Sequence, residues 1–140
     1  MIEINEKLLK DIHLHGVSTY PEEGAGFLVG TESNPRQVVA ILPVKNMRED
    51  GSRHNRYLIE PLDYLKADNE ATEMGLSLIG IFHSHPDHPN LPSEFDREGA
   101  QPFFSYIITS VNKGQAIESR SWQLLEDRSK FEEEPIDIHE

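Results

Sequence analysis

Cysteine is absent from the 140 residues. That excludes disulfides, thiolate metal ligands and a thiol nucleophile together, and it fits a cytoplasmic protein. Basic residues are scarce: 13 Lys and Arg stand against 25 Asp and Glu, for a net charge of −12. Phosphate backbones are bound through cations, so no nucleic-acid partner is expected. A strongly acidic surface favours partners with a basic face, or simply keeps the chain soluble. No apolar run approaches the length of a membrane span, and no signal-like segment opens the chain, so no membrane partner is expected either. Tryptophan occurs once, beside four tyrosines and six phenylalanines, and hydrophobic residues make up 36%. That is enough for one buried core. Repeats and inter-domain linkers are missing too, so the reading is a single domain over residues 1–126 with an acidic tail over 127–140.

The elements follow from periodicity and punctuation. Ile2–Ile4 reads as a short strand, and Asn5 as the N-cap of a helix from Glu6 to Ser18 with Ile4, Leu8, Leu9, Ile12 and His15 near one face. Tyr20-Pro21 ends that helix. Gly24–Thr31 reads as a glycine-bearing strand, paired through the Asn34-Pro35 turn with Gln37–Lys45. A polar loop, Asn46–Asn55, leads to a short strand at Arg56–Ile59. Pro61 opens a helix that runs to Met74, with Leu62, Leu65 and Ala71 as inward candidates, and Gly75 stops it. Ser77–His85 is nearly continuous in apolar residues up to its end, as a central strand should be. Ser105–Val111 and Ala116–Leu125 flank the turn Asn112-Lys113-Gly114-Gln115 as a hairpin. In the tail, Ile136 and Ile138 alternate with acids and allow a short edge strand. The sum is an α/β domain, a mixed sheet with helices on both sides.

Chemistry concentrates in Gly80–Ala100, GIFHSHPDHPNLPSEFDREGA. His83 and His85 lie two apart at a strand end, so both imidazoles leave on one face, within reach of one ion. Ser84 lies between them and points the other way, which removes it as a nucleophile served by either histidine. Ser93 and Asp96 follow a Pro-rich loop. Taken alone, Ser93-Glu94-Phe95-Asp96 is a helix capping box. Taken with the histidines, Asp96 supplies a third metal ligand, and two imidazoles with one carboxylate leave a tetrahedral zinc one open position, as catalytic sites do. The two roles are compatible. Iron or cobalt would suit the same ligands. His13 and His15 read as surface or partly buried helix residues, and His88 as a solvent-facing loop residue. Arg97 and Asn90 flank the motif as candidates to meet a substrate tail.

This pattern resembles the JAMM (MPN-plus) metallopeptidases. Their signature, H-x-H, seven residues, then S-x-x-D, is matched by His83, His85, Ser93 and Asp96. Their upstream glutamate stands in a P-x-E-x-C-G-type segment, matched by Pro21-Glu22-Glu23-Gly24-Ala25-Gly26, with Glu23 in place and Ala25 where the cysteine usually stands. The match covers about Pro21 to Val111. The resemblance implies a single-domain MPN (JAB) fold, a curved mixed sheet flanked by helices in a cytidine-deaminase-like layout. It also implies Zn2+ held by His83, His85 and Asp96, Glu23 as general base and Ser93 as oxyanion donor. The implied substrate is a ubiquitin-like or sulfur-carrier protein, cut after its C-terminal Gly-Gly with release of cysteine or lysine-linked adducts. The tail is expected to lie extended, adding a strand at a sheet edge near the glycine-bearing strand. The alternative is a non-catalytic MPN module that scaffolds a complex. Such members usually lack the histidines, so the intact set counts against it.

Overall fold

A computed structural model describes residues 1–140. Eight strands form one mixed sheet in the order β7-β6-β5-β4-β2-β3-β1-β8. In chain order they are β1 (Ile2–Asn5), β2 (Ala25–Thr31), β3 (Arg36–Val44), β4 (Ser77–Pro86), β5 (Ser105–Asn112), β6 (Gln115–Leu124), β7 (Phe131–Glu134) and β8 (Ile136–His139). The helices are α1 (Glu6–Thr19), α2 (Pro61–Glu73) and α3 (Glu94–Gly99). The expected α/β class, curved sheet and flanking helices are all present.

Local signals explain most boundaries. The Asn5 side chain accepts the Leu8 N–H at 2.8 Å and caps α1, satisfying one of the donors a helix start leaves free. Lys113 and Gly114 both take positive φ, 50° and 81°, as a two-residue hairpin turn between twisted strands requires. β4 pairs antiparallel with β2 and parallel with β5, so it is central. Its apolar side chains serve both faces. Ile81 joins a core with Ala25, Phe27, Ala67, Tyr106 and Leu124 beneath α2. Ile79 and Phe82 join another with Ile2, Ile4, Ile12, Leu28 and Ile107 beneath α1. A register shift opposite Leu28/Val29 lets Ile79 and Ile81, two apart, face opposite cores.

Three sequence expectations change. Arg56–Ile59 is not a strand. Its one backbone link to the loop before it is Met47 N–H to the Leu58 carbonyl, 3.0 Å, and the Asn46 side chain takes the place of further ladder bonds, meeting the Arg56 carbonyl and the Leu58 N–H. Leu62 and Leu65 do not face inward; each is 57% exposed. Tyr64, Ala67 and Ala71 hold the sheet side of α2, because small side chains let the helix lie close, and Tyr64 meets Phe27 edge-on at 5.0 Å. Residues 131–139, read as tail with at most one edge strand, supply both edges of the sheet: β7 pairs with β6, and β8 lies parallel to β1. Only Pro135 separates them in sequence, so the sheet curls until its two edges nearly meet.

Candidate metal and catalytic site

The site lies where β4 ends, on the α2 face of the sheet. Ser77–Pro86 carries His83 and His85 out of the core while both stay buried, 1% and 5% exposed. Ser84 points to the opposite face, against Gly16 of α1. The Pro-rich loop then returns the chain to α3. Ser93 caps that helix in a complete capping box: its Oγ accepts the Asp96 N–H at 3.0 Å, and Asp96 Oδ2 accepts the Ser93 N–H at 2.9 Å. The carboxylate that completes the cap is therefore the same one that faces the two histidines.

Distances among the ligand atoms decide what the cluster suits. His83 Nε2 lies 3.2 Å from His85 Nε2. Asp96 Oδ2 lies 3.2 Å from His85 Nε2 and Oδ1 lies 3.4 Å from His83 Nε2. An ion with tetrahedral ligands at about 2.0–2.1 Å needs ligand-to-ligand edges of ~3.3 Å. The edge between the two imidazoles matches that value, and each imidazole has one Asp96 oxygen at a comparable distance, Oδ2 for His85 and Oδ1 for His83. His85 Nδ1 meets the Pro89 carbonyl at 2.8 Å. A carbonyl can only accept, so Nδ1 carries the proton and Nε2 keeps its lone pair for a cation. Tyr57 stacks obliquely on His83, centroids 4.7 Å apart, closing the site on that side.

Glu23 completes the group. One ligand atom from each of Glu23, His83, His85 and Asp96 lies within 4.8 Å of the others. Glu23 is 3% exposed and its Oε1 has no hydrogen-bond partner, whereas its neighbour Glu22 is exposed. Burial pushes the Glu23 carboxyl up to about 7, with the two imidazoles pulling it down and the Asp96 charge adding to the rise. Asp96 moves the other way. Burial would raise it, but the charges and hydrogen bonds of His83 and His85 hold it well below the usual carboxylate range. For His85, burial favours the neutral ring, and the carboxylates of Asp96 and Glu23 more than offset it, for a net rise.

A cleft of about 510 Å³ opens over these groups, lined among others by Glu23, Arg56, His85, His88, Ser93 and Phe95. The segment 46–60 forms one wall. It also holds the Glu23 backbone, since the Glu23 N–H donates to the Arg53 carbonyl at 2.6 Å and Asn46 Nδ2 donates to the Glu23 carbonyl at 3.0 Å. Arg56 lies over the Phe95 ring, 4.6 Å from its centroid, and takes part in none of the ion pairs. Sequence reasoning missed Asn46, Arg56 and Tyr57: Asn46 gives only the signal of a polar loop, and Arg56 and Tyr57 only that of a short strand. Of the side chains placed near the motif, His88 is exposed and lines the cleft. Asn90 is buried away from it, bonding the Glu118 carbonyl and accepting from Trp122. Arg97 is spent on Glu94 and the Arg128 carbonyl. His13 bonds Ser119, and His15 packs on Phe82. The glycine-bearing β2 is paired on both sides, by β3 and β4, so no tail can add to it as a strand.

Known proteins resemble this chain in sequence and fold. The family described as prokaryotic homologs of the JAB domain matches residues 5–125. A probable TtuB-protein conjugate cleaving protease of Thermus thermophilus is 37% identical over 110 residues, covering 79% of this chain and 70% of that protein. A desampylase of Pyrococcus furiosus is 32% identical over 120 residues, covering 86% and 79%. The solution structure of a protein from Desulfitobacterium hafniense superposes with a TM-score of 0.86 at 28% identity, covering 100% of this chain and 94% of that one. The chain therefore belongs to the prokaryotic JAB-domain family and is a hydrolase.

Proposed function

We propose that this protein is a zinc-dependent isopeptidase that hydrolyses the bond after the C-terminal Gly-Gly of a ubiquitin-like or sulfur-carrier protein. The observation that carries the reading is the convergence of Glu23, His83, His85 and Asp96, from three separated segments, with ligand atoms within 4.8 Å of one another. Four groups that desolvate one another this closely are costly to bury without a cation between them. The names of the Thermus and Pyrococcus relatives supply the substrate class. Such substrates end in a flexible chain, and an open cleft between segment 46–60 and the loop before α3 suits one lying extended.

His83, His85 and Asp96 would hold the zinc. The ion, when bound, lowers the pKa of water from about 16 toward about 7 and polarises the scissile carbonyl. Glu23 accepts the proton of the attacking water and passes it to the leaving amine. Its burial and its unpartnered Oε1 suit a base waiting for a proton. The Ser93 hydroxyl uses a lone pair for the Asp96 N–H, which leaves its own proton free to donate to the developing oxyanion. A scaffold without chemistry has no use for such a set.

Two variants test the reading against a Gly-Gly-extended ubiquitin-like fusion. Glu23→Gln keeps size and zinc but cannot take a proton, so turnover falls by roughly 10²–10⁴, while Glu22→Gln, an exposed neighbour, turns over normally. His83→Ala loses stoichiometric zinc by metal analysis. Normal turnover by Glu23→Gln, or one tightly held zinc in His83→Ala, sinks the assignment.

A further inference from the structure

Ser84 sits between the two histidines and takes no part in the chemistry above. It faces α1, is 2% exposed, and cannot reach the cleft. Its position is nonetheless singular. The Gly24 N–H donates to Ser84 Oγ at 2.8 Å, and the Ser84 N–H donates to the Gly24 carbonyl at 3.0 Å. Gly24 directly follows Glu23, and the β2–β4 ladder begins only one residue later, at Ala25 opposite His83. The two bonds therefore extend that ladder by a step that backbone pairing alone does not make. They fix the peptide next to Glu23 to the peptide between the two histidines.

The back of this contact is tightly packed. A Cβ on Gly16 would stand 3.1 Å from Ser84 Cβ, and a Cβ on Gly24 would stand 2.6 Å from Thr19 Oγ1 and 3.0 Å from the His15 ring. The end of α1 thus presses β4 and the β2 entry from behind.

We propose that Ser84 is the positioning residue of the general base: its hydroxyl sets the height of Glu23 relative to His83 and His85. The proposal rests on the reading of Glu23 as base. Serine's small acceptor fits the gap between strand and helix, and the alternation that turns both imidazoles toward the cleft turns residue 84 toward Gly24. Without that acceptor the buried Gly24 N–H loses its partner, and the entry to β2 shifts to find another.

The test measures zinc content, kcat and KM on a Gly-Gly-extended ubiquitin-like fusion for Ser84→Ala, Ser84→Cys and Ser84→Thr. Amide exchange of Gly24 is followed against Ile81, a ladder residue, as internal control. Cysteine keeps the volume should alanine fail to fold, and threonine keeps the hydroxyl. In Ser84→Ala and Ser84→Cys, zinc stays at one per chain, KM stays within about twofold, kcat falls by roughly 10- to 100-fold, and the Gly24 amide exchanges faster. Threonine restores kcat and protection. The proposal is overturned by wild-type kcat in the alanine or cysteine variant, by a kcat loss that tracks zinc loss, or by a threonine variant as slow as the other two. A fully active Glu23→Gln would instead remove the base assignment and this proposal with it; failure of this proposal alone leaves Glu23→Gln slow while the Ser84 variants turn over normally.

Discussion

Glu23 is a carboxylate that burial keeps largely out of water, and its proton affinity records that. The folded-state value of about 7 lies above the unfolded 4.5, so the folded chain holds this proton more tightly than the unfolded one. The resulting stability is fully present below pH 4.5 and is lost as pH rises through 7. A bound cation reverses the local preference, so the effect belongs to metal-free protein. In chelator-treated samples, wild type should lose up to about 3 kcal/mol relative to Glu23→Gln between pH 4.5 and pH 8. Urea melts at the two pH values measure it; an equal gap at both would show that burial does not set this proton's affinity.

Segment 46–60 has almost no secondary structure of its own, yet it forms a wall of the cleft and holds the Glu23 backbone. Asn46 organises it. Its Nδ2 donates to the Glu23 and Arg56 carbonyls, and its Oδ1 accepts from the Arg48 and Leu58 N–H groups. One amide thus satisfies four backbone groups that no strand partner reaches. Asn46→Ala should cost about 2 kcal/mol, given net values of ~0.5–1.5 kcal/mol per bond with some replaced by water. Because the Glu23 carbonyl is one of the four, kcat should fall as well, by about tenfold. Denaturant titration and steady-state kinetics on the same preparation check both numbers. A stable variant with normal kcat would mean that the loop holds itself by other contacts.

At the scale of the molecule, the acidic C-terminal segment closes the sheet. Glu134 is 6% exposed and accepts from Ser121 Oγ at 2.7 Å, and the Met1 amine lies 3.7 Å from its other oxygen. The Ile2 N–H donates to the Pro135 carbonyl at 3.0 Å. Both ends of the chain are thereby tied at the seam. Phe131 packs edge-on against Tyr106, 5.9 Å between centroids. Truncation after Lys130 removes β7 and β8, bares Ile2 and Leu124, and should cost several kcal/mol, on the order of two large apolar side chains exposed plus their ladder bonds. Thermal melting compares the two lengths; an unchanged Tm would make the segment an ornament of the sheet.

Much of this protein is written in short-range terms. The H-x-H spacing fixes which face the imidazoles take, because strand alternation is local geometry. The capping box at Ser93 and Asp96, the Asn5 cap and the Lys113-Gly114 turn depend on residues no more than four apart, and each was legible. The choice of Glu23 over Glu22 needed the resemblance to a known family, since two adjacent acids look alike until one is buried. What only the tertiary structure decided depends on distant partners. Asn46 reads as one polar residue among ten until the Glu23 and Arg56 carbonyls arrive beside it. Leu62 and Leu65 read as core until Ala67 and Ala71 bring α2 close to the sheet from another side. The tail reads as solvated acid until Ile136 meets Ile2 and Glu134 meets the Met1 amine across the whole length of the chain. Local sequence sets torsions and faces; burial, and with it the proton affinity of Glu23, is set by which remote segments come to cover a residue.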